Sequence, residues 1–208
     1  MLERLATRLA RRERFTETRP RRAAVLVPLL GAGAELSLLL TRRSAALASH
    51  SGQVAFPGGL ADDADEGPEG TALREAFEEI GLARADARVL GLLDDLPSYK
   101  NDMAVTPVVA RLQPHLAPAD FTPNKAEVAR VFSIPMAELL RAERWREKQI
   151  EWRGQPLTQY YFDHDGETLW GLSAYATLML VALAAPPGAS GLPSLPWFQP
   201  AGRSVNSR

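Results

Sequence analysis

Glu75, Glu78 and Glu79 are the first residues in this 208-residue chain whose types and spacing could do chemistry. Spaced i, i+3, i+4, they share one face of a helix. Like charges held so close repel, and more strongly once they are shielded from water. A hard divalent cation reverses that cost. Mg²⁺ is satisfied by a few carboxylates, keeps several waters and leaves room for phosphate oxygens. Arg74 precedes the cluster and can grip one carboxylate through its planar fork, fixing its rotamer. Without a special context the same three glutamates would be a solvated acidic face.

The surrounding residues supply the helix. Leu73, Ala76, Phe77 and Ile80 recur at helical spacing on another side and can face a core. Pro68 suits a first turn, Glu66 and Glu69 sit near the positive end of the dipole, and Gly81 fits just past the last turn. Upstream, 54–56 reads as a short strand that delivers Pro57, Gly58 and Gly59 as a loop, where glycine permits positive φ and close approach of a ligand.

Elsewhere, 1–14 spaces Leu2, Leu5 and Leu9 as an amphipathic helix laid on the domain. Arg11, Arg12, Arg14, Arg19, Arg21 and Arg22 form a basic face, solvated or open to phosphates or a partner. Residues 23–30 and 36–41 read as a hairpin joined by a flexible 31–34 loop. Strand character returns at 89–96 and 105–112, where Pro107 points to an edge or a bulge. The segments 97–103 and 114–124 are loops, in which Tyr99, Lys100 and Phe121 could stack on a base or touch phosphate. A strand at 127–135 leads into a short helix from Met136. Residues 157–163 and 167–170 form a hairpin with His164 in its turn. A helix at 172–185, capped by Ser173, is followed by an extended tail rich in Pro, Gly and Ser, in which Trp197 and Phe198 could dock on the body or on a partner.

Composition narrows the function classes. A net charge of −1 gives no electrostatic case for bulk nucleic-acid binding. The absence of cysteine excludes disulfides, thiolate metal sites and cysteine nucleophiles. Only three histidines are present, so carboxylate ligands and hard metals are favoured. No apolar run reaches membrane-spanning length, and the Arg-rich start lacks a signal-peptide core, so a soluble cytoplasmic protein is expected.

Gly59, Glu66, Arg74, Glu75, Ala76, Glu78, Glu79, Gly81 and Leu82 together resemble the Nudix hydrolase signature, G-x5-E-x7-R-E-U-x-E-E-x-G-U with U apolar, with one extra residue between Gly59 and Glu66. Residues 39–59 resemble the longer pattern of the coenzyme A pyrophosphatase branch of that superfamily, at Thr41, Arg43, Ser44, Leu47, His50, Gly52, Gln53, Phe56, Pro57, Gly58 and Gly59. That branch carries the same insertion, with acidic positions at Asp62 and Asp65, and the run 71–76. It usually has a basic residue after Leu47, where this chain has Ala48.

The resemblance implies an α/β fold, a Nudix α/β/α sandwich with a central mixed β-sheet, over 23–185. An N-terminal helix and linker precede it at 1–22, and a tail follows at 186–208. It implies Mg²⁺ or Mn²⁺ held by Glu75 and Glu79, with Glu78 as a third ligand or supporting partner, and Arg74 orienting a carboxylate. Arg43, His50, Gln53, Gly58 and Gly59 would face substrate, and the proton acceptor would be Glu78 or Glu127. The implied reaction cleaves coenzyme A or its thioesters into 3′,5′-ADP and 4′-phosphopantetheine. Phosphoryl transfer chiefly needs positioning and charge neutralisation, and divalent ions supply both, together with a more acidic water. The alternatives are another nucleoside diphosphate derivative, such as ADP-ribose, a dinucleotide or a nucleoside triphosphate, and a non-catalytic Nudix-fold binding module. Because many relatives are dimers, a homodimer is compatible with the resemblance.

Overall fold

The computed structural model of the chain describes residues 1–47, 49–98, 101–152, 154–186, 191–195 and 198. In chain order its elements are α1 (Leu2–Arg11), β1 (Arg21–Leu30), β2 (Ser37–Arg43), β3 (Val54–Ala55), β4 (Gly58–Leu60), α2 (Gly67–Ile80), β5 (Ala87–Leu92), β6 (Leu96–Ser98), β7 (Met103–Leu112), β8 (Val128–Pro135), α3 (Met136–Leu139), β9 (Trp145–Trp152), β10 (Gln155–His164), β11 (Glu167–Trp170) and α4 (Gly171–Ala184). The main sheet is mixed. β1 runs parallel to β7, β5 and β6 pair antiparallel with β7, and β2 and β4 share the other margin of β1. β2 continues outward to β3 and β8. β9, β10 and β11 form a second, antiparallel sheet.

Alternation along the strands separates two cores. Ala24, Leu26 and Leu30 of β1 pack with Ala72, Leu73, Ala76 and Ile80 of α2. Val27 and Leu29 pack on the opposite face with Leu5 and Leu9 of α1 and with α4. The result is the expected α/β/α sandwich around a mixed sheet. α4 is apolar nearly all round because it is buried nearly all round. α1 is the expected amphipathic helix, and its Arg8 donates to the carbonyls of Leu183 and Ala185 at the end of α4 (2.8 and 3.2 Å).

Several expectations change. The 23–30/36–41 hairpin is paired only at Leu29↔Leu38 and Leu30↔Ser37; β2 then diverges to β8, and β4 fills the gap beside β1. Gly58 and Gly59 therefore lie in a strand, not a loop. Pro107 lies in a central strand. Its carbonyl accepts the Leu93 amide (2.9 Å), so its missing N–H falls on the same side, where β5 breaks before β6 and no ladder bond is lost. β9 was not anticipated, because its 146–149 stretch is charged or polar and exposed, with no apolar alternation. Ser173 lies inside α4, where its carbonyl accepts Thr177 Oγ1 (2.8 Å), and it caps nothing. Phe121 is buried against α2 and cannot stack on a ligand. Phe198 docks on the body beside Arg12. Ala48, Tyr99, Lys100 and Trp197 lie outside the described residues. Among the described residues no helix is long and apolar enough to cross a membrane.

Candidate active site

α2 begins with Pro68 in its first turn and ends at Gly81, whose φ of 72° turns the chain so that the Leu82 amide reaches back to the Ala76 carbonyl (3.4 Å). Its apolar face is held by the sheet, which leaves Glu75 and Glu79 on the margin beside β4. Glu79 is 3 % exposed. Its Oε2 accepts the Gly58 amide at 3.3 Å, and its Oε1 lies 3.7 Å from Arg43 Nη1. Burial pushes its carboxyl up to about 7; Arg43 and the Gly58 amide oppose this, and the charges of Glu127 and Glu75 add to it. Glu75 is also raised, first by burial and further by Glu78 and Glu127, against the pull of Arg74.

The two glycines serve these carboxylates and the sheet. A Cβ on Gly58 would stand 2.4 Å from the Ala24 carbonyl oxygen and 2.6 Å from Val25 Cα. One on Gly59 would stand 2.5 Å from the Glu75 carboxylate.

Arg74 forks Asp65 through Nε (2.9 Å) and Nη2 (3.0 Å), donates to Glu75 Oε1 (2.8 Å) and reaches the Leu60 carbonyl (2.9 Å). Its bidentate partner is thus Asp65 and not a member of the glutamate cluster. That arginine holds the Asp65 carboxyl well below the usual carboxylate range. Asp65 also accepts Thr71 Oγ1 and the Asp62 amide, both at 2.9 Å. In the sequence it stands out only as an acidic position in the motif. Glu78 stands apart: its side chain is 54 % exposed and, among the described residues, pairs only with Arg74, at 3.3 Å.

Glu127 precedes β8. Its carbonyl accepts the Ser44 amide (2.7 Å), and its Oε1 accepts Asn124 Nδ2 (3.2 Å). The Asn124 amide in turn donates to the Glu79 carbonyl (2.9 Å), so one asparagine ties the end of α2 to Glu127. Nothing about a lone loop asparagine signals that role. A register shift where β2 meets β8 pairs Arg43 with Val128 and turns Val128 into the core under α2. The Arg43 amide donates to the Gln53 carbonyl (2.9 Å), and the Gln53 side chain pairs with His50 Nδ1 (2.8 Å) in an exposed loop.

The structure thus brings together Glu75, Glu79, Arg74, Arg43, Gly58, Gly59 and, through its charge, Glu127. It leaves Glu78 turned outward and His50 bonded to Gln53. Among the described residues no three His, Cys, Asp or Glu side chains form a finished metal cage. The buried Glu79 and the half-buried Glu75, both with raised proton affinity, still fit a hard divalent ion, which takes one or two carboxylates and completes its shell with water and phosphate.

Comparison with known proteins gives the family. A model of the NUDIX domain family matches residues 20–153. The uncharacterized Nudix hydrolase NudL of Photorhabdus laumondii is 43% identical over 154 residues, 74% of this chain and 80% of the relative. NudL of Yersinia pestis is 42% identical over 156 residues, 74% of this chain and 75% of the relative. A solved Nudix hydrolase from M. smegmatis, RenU, overlays with a TM-score of 0.46 at 26% identity, covering 56% of this chain and 71% of that one. The chain belongs to the Nudix hydrolase family.

Proposed function

We propose that the chain hydrolyses the pyrophosphate bond of coenzyme A or acyl-coenzyme A, giving 3′,5′-ADP and (acyl-)4′-phosphopantetheine, with Mg²⁺ or Mn²⁺ as cofactor. Nudix hydrolases act on small nucleotide-derived substrates and generally use such ions. The observation that carries the coenzyme A reading is Arg43 at 3.7 Å from Glu79, which joins the segment bearing the coenzyme A pattern to the catalytic helix.

Glu75 and Glu79 would hold the ion, which supplies charge neutralisation and a more acidic water when bound. Arg74, locked on Asp65, fixes Glu75. Arg43 balances Glu79 and presents a cation to the diphosphate. Glu127, steadied by Asn124, takes the proton from the attacking water. Glu78, exposed beside Arg74, is the less favoured acceptor.

The test is turnover of coenzyme A, acetyl-coenzyme A, ADP-ribose, NADH, diadenosine polyphosphates and deoxynucleoside triphosphates, with products resolved by mass spectrometry. Release of 4′-phosphopantetheine, with coenzyme A best by kcat/KM, supports the proposal. Preference for another member would keep the metal chemistry and move specificity to Ala48 and the loops.

A further inference from the structure

Two pairs of arginines stand directly opposite each other on neighbouring strands: Arg42 with Arg130 across β2 and β8, and Arg88 with Arg111 across β5 and β7. Like charges so placed repel. The first pair is relieved from within the chain. The buried Glu167 carboxylate of β11 lies 3.4 Å from Arg42 Nη1 and 3.1 Å from Arg130 Nη1. The second pair has no such bridge; among the described residues no carboxylate lies within 4.0 Å of either guanidinium. Arg111 Nε is shielded from solvent and has no hydrogen-bond partner. Such orphaned donors are few in folded proteins. Both arginines line a concavity of about 270 Å³, together with Asp86 and Gln113 among others. The Gln113 amide donates to the Asp86 carbonyl (2.9 Å), which ties the two strand ends together beside the arginines.

We infer that Arg88 and Arg111 bind a phosphate group, free or esterified, which takes the place that Glu167 takes between Arg42 and Arg130. Two guanidinium forks offer paired N–H donors matched to phosphate oxygens, and the ion removes the repulsion between them. The site is separate from the catalytic cluster. Arg111 pairs with Leu29, four residues along β1 from Val25, which pairs with Gly58; at about 3.3 Å per residue that is roughly 13 Å. Arg111 also alternates with Ala110 and Leu112, which face α2, so it belongs to the other face of the sheet. Phosphate bound here leaves Glu75 and Glu79 free.

The test follows the melting temperature of the full chain in EDTA against inorganic phosphate, with sodium chloride at equal ionic strength as control and AMP as the esterified arm. The wild type is expected to rise by about 2–5 °C once phosphate reaches ten times its Kd. Arg88→Gln and Arg111→Gln are each expected to lose that rise, while Arg42→Gln keeps it. Without phosphate, Arg88→Gln should melt no lower than wild type, because a repulsion has been removed, so its lost response is not a folding defect. A larger rise with AMP than with phosphate would assign the esterified form. A response to phosphate no greater than to chloride, or one unchanged in Arg111→Gln, would overturn the inference.

Discussion

Gly59 and the carboxylate of Glu75 occupy one space between them: a methyl group on the glycine would stand 2.5 Å from the glutamate's carboxylate. The atoms displaced are the far end of a flexible side chain, so the fold can yield while the carboxylate moves. Gly59→Ala should therefore lower kcat/KM on the order of 10²-fold with little change in melting temperature. Gly58→Ala meets the backbone of Ala24 and Val25 instead, and should cost about 1–3 kcal/mol of stability. Comparing kcat/KM and thermal melts of the two variants checks this; equal losses of stability would contradict it.

Asp65→Asn removes the charge that Arg74 forks. Arg74 would then be free to turn from Glu75, and metal affinity should weaken by about 10- to 100-fold. A Mg²⁺ titration of the variant reads this directly, and unchanged affinity would show that the Asp65–Arg74 fork is not needed to set Glu75.

Glu79 makes the metal-free protein pH-dependent. Its folded carboxyl, at about 7, lies above the ordinary value of 4.5, so ionisation is disfavoured in the fold. The stability it contributes is complete below about 4.5 and is lost as pH rises through about 7, a change of about 3 kcal/mol. In EDTA, the melting temperature of Glu79→Gln minus that of wild type should widen between pH 4.5 and 7 and level off above. At pH 8, Mg²⁺ should raise the wild type far more than the variant, because binding needs the ionised carboxylate. A difference that stays flat with pH would contradict the buried, proton-prone Glu79.

The sandwich was legible through the family resemblance and the α2 helix from spacing, since the α2 pattern carries its own start, stop and buried face. The grouping of the three glutamates was not. At about 100° per residue, Glu75 and Glu79 lie roughly 40° apart, while Glu78 lies roughly 100° from Glu79. Which pair is buried depends on where β4 lies, and the two glycines of β4 look like a turn in the sequence. Asp65 was visible as an acidic position, but its hold on Arg74 comes from the fold of the 62–65 turn. Pro107 looked like an edge residue because a single strand does not reveal where its neighbour breaks. β9 escaped because a charged, exposed strand has no apolar period to find.

Turnover of coenzyme A by Glu79→Gln, set beside wild type at saturating Mg²⁺ and with melts of both, tests the central claim most directly. The variant is predicted to fold and to lose activity by on the order of 10²–10³-fold or more, because a carboxylate proposed to hold the metal ion is gone. Turnover retained with normal Mg²⁺ dependence would place the chemistry elsewhere than the Glu75–Glu79 margin of α2.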